Sequence, residues 1–222
     1  MDKIAIISGV YGDLNALRSV LVDINIRGIN TIYCLGNIIS NESKDNSRCL
    51  ELIKNLCTVS LMGDKEEGIG LIEDAEQYSI SDIDYLRGLP FSHQFLVSGR
   101  TVRLFNDNPY NSFNKKNYDN KKIDLFKPSV RTENGFADVV VCGRNNGAFE
   151  EVAGCGHVIG VQDVSDGDFA NYIIIEGNMN SRRFAPISYQ HVQVPKTLVY
   201  PVSYRDQQSV GVCKSRGANY GA

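Results

Sequence analysis

Histidine is scarce in this 222-residue chain: His93, His157 and His191 stand alone, with no second imidazole or thiol at ligand spacing. Six cysteines (Cys34, Cys49, Cys57, Cys142, Cys155 and Cys213) are scattered singly, without a CxxC pair. That pattern argues against a zinc module or a disulfide framework and for reduced packing thiols. No apolar run is long enough to span a bilayer, and the opening MDKIAIISG lacks the basic leader and apolar core of a signal peptide. A cytoplasmic protein with no membrane partner is expected. Charge of one sign is lacking too: the formal net charge of −3 is too small to draw nucleic acid by long-range field. Partners have to be sought in local features.

What the chain does have is an ordinary globular composition, 42% hydrophobic and 22% charged, enough to bury one core. Residues 3–8, KIAIIS, read as a buried strand, and Leu14, Leu17, Leu21 and Ile24 recur at helical spacing over 14–27. TIYCLG at 31–36 is a second strand, NSRCLELIKNL at 46–56 a second helix and CTVSLMG at 57–63 a third strand. This alternation alone predicts parallel crossovers and an open sheet with helices on both faces. A short helix over 81–90, a hairpin turning at Ser98-Gly99, and strands at 137–143, 171–177 and 188–194 follow. One domain over 1–198 is expected, carrying a lysine-rich loop or lid at 110–135 and followed by an extended tail at 199–222. The charge run in that loop reads as a solvated face rather than a nucleic-acid site.

Four strand ends carry turns: SGVYGD, LGNII, MGDKEE and CGRNNGAF. In open α/β sheets ligands bind beyond the carboxyl ends of strands, so these turns should face one crevice. In order, spacing and flanking residues they resemble the calcineurin-like metallophosphoesterases, in particular the small bacterial phosphodiesterases, over roughly residues 1–178. The resemblance implies a β-sandwich flanked by helices, and in that family two divalent cations activate a water for attack on phosphorus. It also implies which positions should hold ligands. Gly9 and Tyr11 stand where the first turn would carry aspartate and histidine. Asn37 stands for the bridging aspartate, and Asp64 and Lys65 for the asparagine and histidine of the third turn. Asn106 stands for a later histidine, while Arg144 and Asn146 stand for the closing pair.

A pair of cations about 3.5–4 Å apart needs several anionic or imidazole donors. Glycine offers none, a protonated tyrosine or neutral asparagine is a poor ligand, and the Arg144 guanidinium keeps its proton. Phosphoester hydrolysis asks for on the order of 20 kcal/mol of barrier lowering, most of it electrostatic. No other group in the sequence supplies it, so neither a cofactor nor catalysis is expected, and the chain reads as a pseudoenzyme acting as a structural or protein-interaction module. Its partner would be another protein or itself, with Tyr200, Tyr204 and Tyr220 of the tail as candidate contacts. Two alternatives stay open. One is a metal-free phosphate or nucleotide binder using Arg144 and the glycine turns; the other is a residual phosphodiesterase with a displaced metal site. Asp64 and Arg144 could also pair across the vacated cavity. Asp13, Glu66, Glu67 and Asp107 could form a hard-cation site, or cap helices as acidic turn residues ordinarily do.

Overall fold

The chain enters through β1 (Asp2–Ile7), whose last four residues are buried. A computed structural model describes residues 1–70, 78–107, 137–145, 147–153 and 156–196. After β1, Asp13 caps α1 (Leu14–Ile26) by accepting from the Ala16 N–H at 3.0 Å, which satisfies one of the unpaired donors at a helix start. Leu14, Leu17, Leu21 and Ile24 form its buried face. β2 (Thr31–Cys34), α2 (Asn46–Leu56) and β3 (Val59–Ser60) complete the parallel part. α3 (Asp64–Glu67) and α4 (Ile80–Arg87) lead to the hairpin β4 (Ser92–Val97) and β5 (Arg100–Phe105). The remaining strands are β6 (Val139–Asn145), β7 (Phe149–Ala153), β8 (Gly156–Gln162), β9 (Phe169–Gly177) and β10 (Ser188–Pro195).

Two five-stranded sheets result, ordered β10-β9-β1-β2-β3 and β4-β5-β6-β8-β7. The first has two different faces. Ala5, Ile7 and Cys34 pack with Leu17, Leu50 and Ile53 of the helices, whereas Ile4, Ile6 and Tyr33 pack with Val102, Val141 and Ile159 of the second sheet. The architecture is therefore a β-sandwich flanked by helices, as the resemblance implies. It corrects the expectation drawn from element alternation, helices on both faces of one open sheet. A continuous apolar run such as IAII records burial on both sides without saying what does the burying.

Three local differences have physical causes. β7 and β8 are absent from the sequence reading, because FEEVA carries two glutamates and GHVIGVQ is interrupted by glycine. The third parallel strand shrinks from 57–63 to two residues: Leu61 N–H still reaches Cys34 of β2, but Met62 N–H turns to the Pro90 carbonyl. α4 starts at Ile80 and ends at Arg87 rather than spanning 81–90, because Ser79 accepts the capping bond from the Asp82 N–H. The lysine-rich 110–135 segment and the 199–222 tail lie outside the described residues. No helix among the described residues is long and apolar enough to cross a membrane.

Candidate functional site

The first two turns are laced together by backbone. Gly9, Tyr11 and Gly12 donate to the carbonyls of Gly36, Asn37 and Ile38 at 3.2, 2.9 and 2.8 Å, so the ladder of β1 and β2 continues beyond the strands. To do this the chain takes up left-handed conformations at Gly9, Tyr11, Gly12, Gly36 and Asn37, with φ of 47° at Tyr11 and 55° at Asn37. Asparagine tolerates that region; a bulky aromatic is an outlier there and is held by its surroundings.

Glu66, the third residue of α3, supplies much of that holding. It is fully buried. One carboxylate oxygen accepts from Asn37 N–H at 2.8 Å and Gly63 N–H at 2.9 Å, the other from Ile38 N–H at 2.7 Å and Ile39 N–H at 3.3 Å. Successive N–H groups converging on one point form an anion-binding nest, and here the protein's own carboxylate fills it. Burial pushes the Glu66 carboxyl above its ordinary value, while the four backbone donors pull it down.

The side chains at the positions where the resemblance expects ligands bond to their surroundings and, at Tyr11 and Asn37, to one another. Asn37 donates through Nδ2 to the Tyr11 hydroxyl at 3.1 Å and accepts at Oδ1 from the Lys65 N–H at 3.4 Å, a weak contact. Asn106 is buried and donates from Nδ2 to the Leu35 carbonyl at 2.6 Å, which fixes the end of β2 against the second sheet. Gly143 lies so close to Ser8 and to the Asn106 carbonyl that a Cβ there would collide. Gly9 is equally confined: a Cβ on it would run into the Asp163 carboxylate. Asp163 follows β8 and nothing in the sequence reading singled it out, since its proximity to Gly9 comes from sheet packing across more than half the chain.

Of the residues the resemblance selected, the structure gathers Gly9, Tyr11, Asn37, Lys65 and Asn106 around one crevice. Asp64 and Lys65 are exposed on its rim at the start of α3. Arg144 lies within β6, but its side chain, and with it the Asp64–Arg144 pair and the phosphate contact, is outside the described residues. So are Asn146, Tyr200, Tyr204 and Tyr220. Asp13 is a cap that also pairs with Lys196 at 3.0 Å, and Glu66 clamps the second turn.

The two-sheet architecture is shared with known proteins. A metallophosphoesterase from Sphaerobacter thermophilus superposes with a TM-score of 0.59 at 17% identity, covering 87% of this chain and 89% of its own. An archaeal phosphodiesterase superposes at 0.55 and 12% identity, covering 86% of this chain and 99% of its own. The fold is that of the calcineurin-like metallophosphoesterases. A hypothetical protein from Pyrococcus horikoshii shares this metallophosphoesterase-like fold with a TM-score of 0.55 at 13% identity, covering 95% of this chain and 93% of its own. No family model matches the chain. In sequence, an uncharacterized Methanocaldococcus jannaschii protein is 42% identical over 68 residues, 31% of this chain and 28% of that protein.

The donor set does not fit the cation pair this fold houses in its catalytic members. Gly9 brings no donor, Tyr11 and Asn37 are neutral and bonded to each other, and both Glu66 oxygens already accept two N–H groups each. Asp163 puts one carboxylate against Gly9, and one carboxylate does not hold two divalent ions. Among the described residues, no group of three or more His, Cys, Asp or Glu side chains is arranged to hold a metal.

Proposed function

We propose that this chain is a metallophosphoesterase-fold protein without phosphoesterase activity, serving in the cytoplasm as a structural or protein-interaction module. The observation that carries the reading is the closure of former ligand positions on themselves: the Asn37 amide spends its Nδ2 on the Tyr11 hydroxyl. Replacing two ligands by a mutually bonded neutral pair removes the charge that would attract a cation and leaves the turn geometry intact. The scaffold is retained while its electrostatic purpose is gone, which suits a protein used for its surface.

The deciding experiment combines elemental analysis of the purified protein with a phosphodiester hydrolysis assay in Mn²⁺. The reading expects substoichiometric metal and turnover indistinguishable from buffer. Chelator-sensitive turnover well above background would replace it with a residual phosphodiesterase. That second reading draws on Asp163, whose carboxylate lies against Gly9. Asp163→Asn would then abolish the turnover, whereas a contaminating phosphatase would be unaffected.

A further inference from the structure

The two sheets have four edge strands, and three are blunted against strand pairing. β3 is two residues long. β7 carries the exposed Glu150 and Glu151. The outer side of β4 is taken by the segment after β9, through the Asn180 N–H to Leu96 carbonyl bond at 2.9 Å and the Val97–Met179 bridge. Short strands, charges and covering loops are the usual protections of an edge.

Among the described residues, β10 has none of them. It runs for eight residues, SYQHVQVP, with no formally charged side chain and with proline only at its last position. All eight pair with β9, from Ser188 opposite Glu176 to Pro195 opposite Phe169. Among the described residues no hydrogen bond reaches the other side of its backbone. Its side chains are already committed to the two faces: Val192 and Val194 pack toward α1, and Tyr189 packs toward the second sheet. What the strand offers is a straight row of backbone donors and acceptors.

The ends of this edge differ in charge: both signs balance at one, and acid is in excess at the other. Arg182 and Arg183, both exposed, precede β10, with Glu176 and Asp2 also at that end. At the other end Asp168 adjoins Phe169, the partner of Pro195, and Asp166 lies two residues before it. Lys196 is also there, bonded to Asp13. A parallel partner strand from a second copy would place the two acidic ends together, whereas an antiparallel one sets each acidic end beside the arginine pair of its mate. Antiparallel pairing of a strand with itself is two-fold symmetric, so one contact closes the assembly.

We propose that β10 is a dimerisation edge, pairing antiparallel with β10 of a second copy to join two five-stranded sheets into one of ten. This deepens the interaction-module reading by naming the partner. It is tested at the edge, whereas that reading is tested by metal and turnover in the crevice, so either can fail alone.

The test uses the full chain in sedimentation and in hydrogen exchange at low and high concentration. A dimer should form at micromolar concentration, weaken with added salt, and protect alternate amides within 188–195. Arg182→Glu with Arg183→Glu, both on exposed positions, should raise the dissociation constant about tenfold at low salt. Adding Asp166→Arg and Asp168→Arg should recover most of it. Gln190→Lys, which places a like charge on both copies of the strand, should weaken the dimer without changing the melting temperature of the monomer. A chain that stays monomeric up to about 1 mM overturns the proposal. So does a dimer whose 188–195 amides exchange as in the monomer, or one whose new protection falls in 197–222 instead.

Discussion

The crevice end and the opposite end of the sandwich use the same backbone device for different ends. At the crevice, Tyr11 and Asn37 sit at positive φ; at the far end, Ser98 and Asn180 do, at 47° and 56°. Each pair is held by bonds that cross between segments. The β4–β5 turn is stapled to the loop between β9 and β10 by Ser98 and Gly99 N–H groups donating to Asn178 and Ser181 at 2.8 and 2.7 Å. The Arg100 guanidinium adds a bond to the Ala185 carbonyl at 2.6 Å. Among the described residues that end gathers no cluster of metal-ligating side chains, so left-handed strain by itself is no sign of chemistry. What sets the crevice apart is the answer given to converging N–H groups: a buried carboxylate at one end, neutral carbonyls and a hydroxyl at the other.

Removing the carboxylate should therefore break the comparison most sharply. Glu66→Ala leaves four buried N–H groups without an acceptor, and is expected to cost about 4 kcal/mol or more in urea unfolding. Ser98→Ala, its counterpart at the staple, loses the Asn178 N–H bond at 2.9 Å and a long bond to Pro186. It should cost about 1–2 kcal/mol. The ends should also differ in pH dependence. Because burial raises Glu66 in the folded state, folding favours its protonated form. Its contribution is fully present below the ordinary value of 4.5 and is lost as pH climbs through the raised folded value. Glu66→Gln should flatten that segment of the stability curve relative to wild type, and Ser98→Ala should leave its slope alone.

Placing an aspartate at the position where the resemblance expects one tests whether the crevice has room for it. Gly9→Asp puts a side chain at φ 61° and into the Asp163 carboxylate. It should destabilise by about 3 kcal/mol and confer no Mn²⁺-dependent rise in melting temperature. Gly99→Ala, also at positive φ, would bring a Cβ to 2.9 Å from the Phe184 nitrogen and should cost a similar amount. If Gly9→Asp were instead tolerated and bound Mn²⁺, Asp163 would be a displaceable gate rather than a replacement filling.

These ends also differ in how far the sequence made them legible. The glycines and the Asn37 and Tyr11 positions could be read from order and spacing, because turn chemistry is local. The hairpin at Ser98-Gly99 was readable for the same reason. Glu66 was visible as an acidic residue near a helix start, but its partners at 37–39 lie almost thirty positions away. Its role as a clamp follows from tertiary closure. Asp163 is further still from Gly9, and the strands that bring it there, β7 and β8, are short of the apolar alternation that would have announced them. Where a residue acts on its own turn, spacing suffices; where it acts across sheets, nothing in the local pattern records it.

The smallest expected effect separates strain from contact. Tyr11→Phe keeps the ring and the left-handed backbone but removes the hydroxyl that accepts from Asn37 at 3.1 Å. The amide Nδ2 would then lack this partner in a side chain with 1% exposure, at a cost of about 1 kcal/mol. Gly28→Ala provides the matched control for conformation alone. Its φ is 68° and no atom lies within 4 Å of an added Cβ, so it too should cost about 1 kcal/mol, through backbone strain only. Combining the two should give additive losses, because the sites share no partner. Combining Tyr11→Phe with Asn37→Ala should not, since the second change removes the donor that the first leaves unpaired. A double-mutant cycle in urea that returned no coupling between positions 11 and 37 would mean that the pair is a geometric coincidence, and the crevice would lose the closure that distinguishes it from the staple.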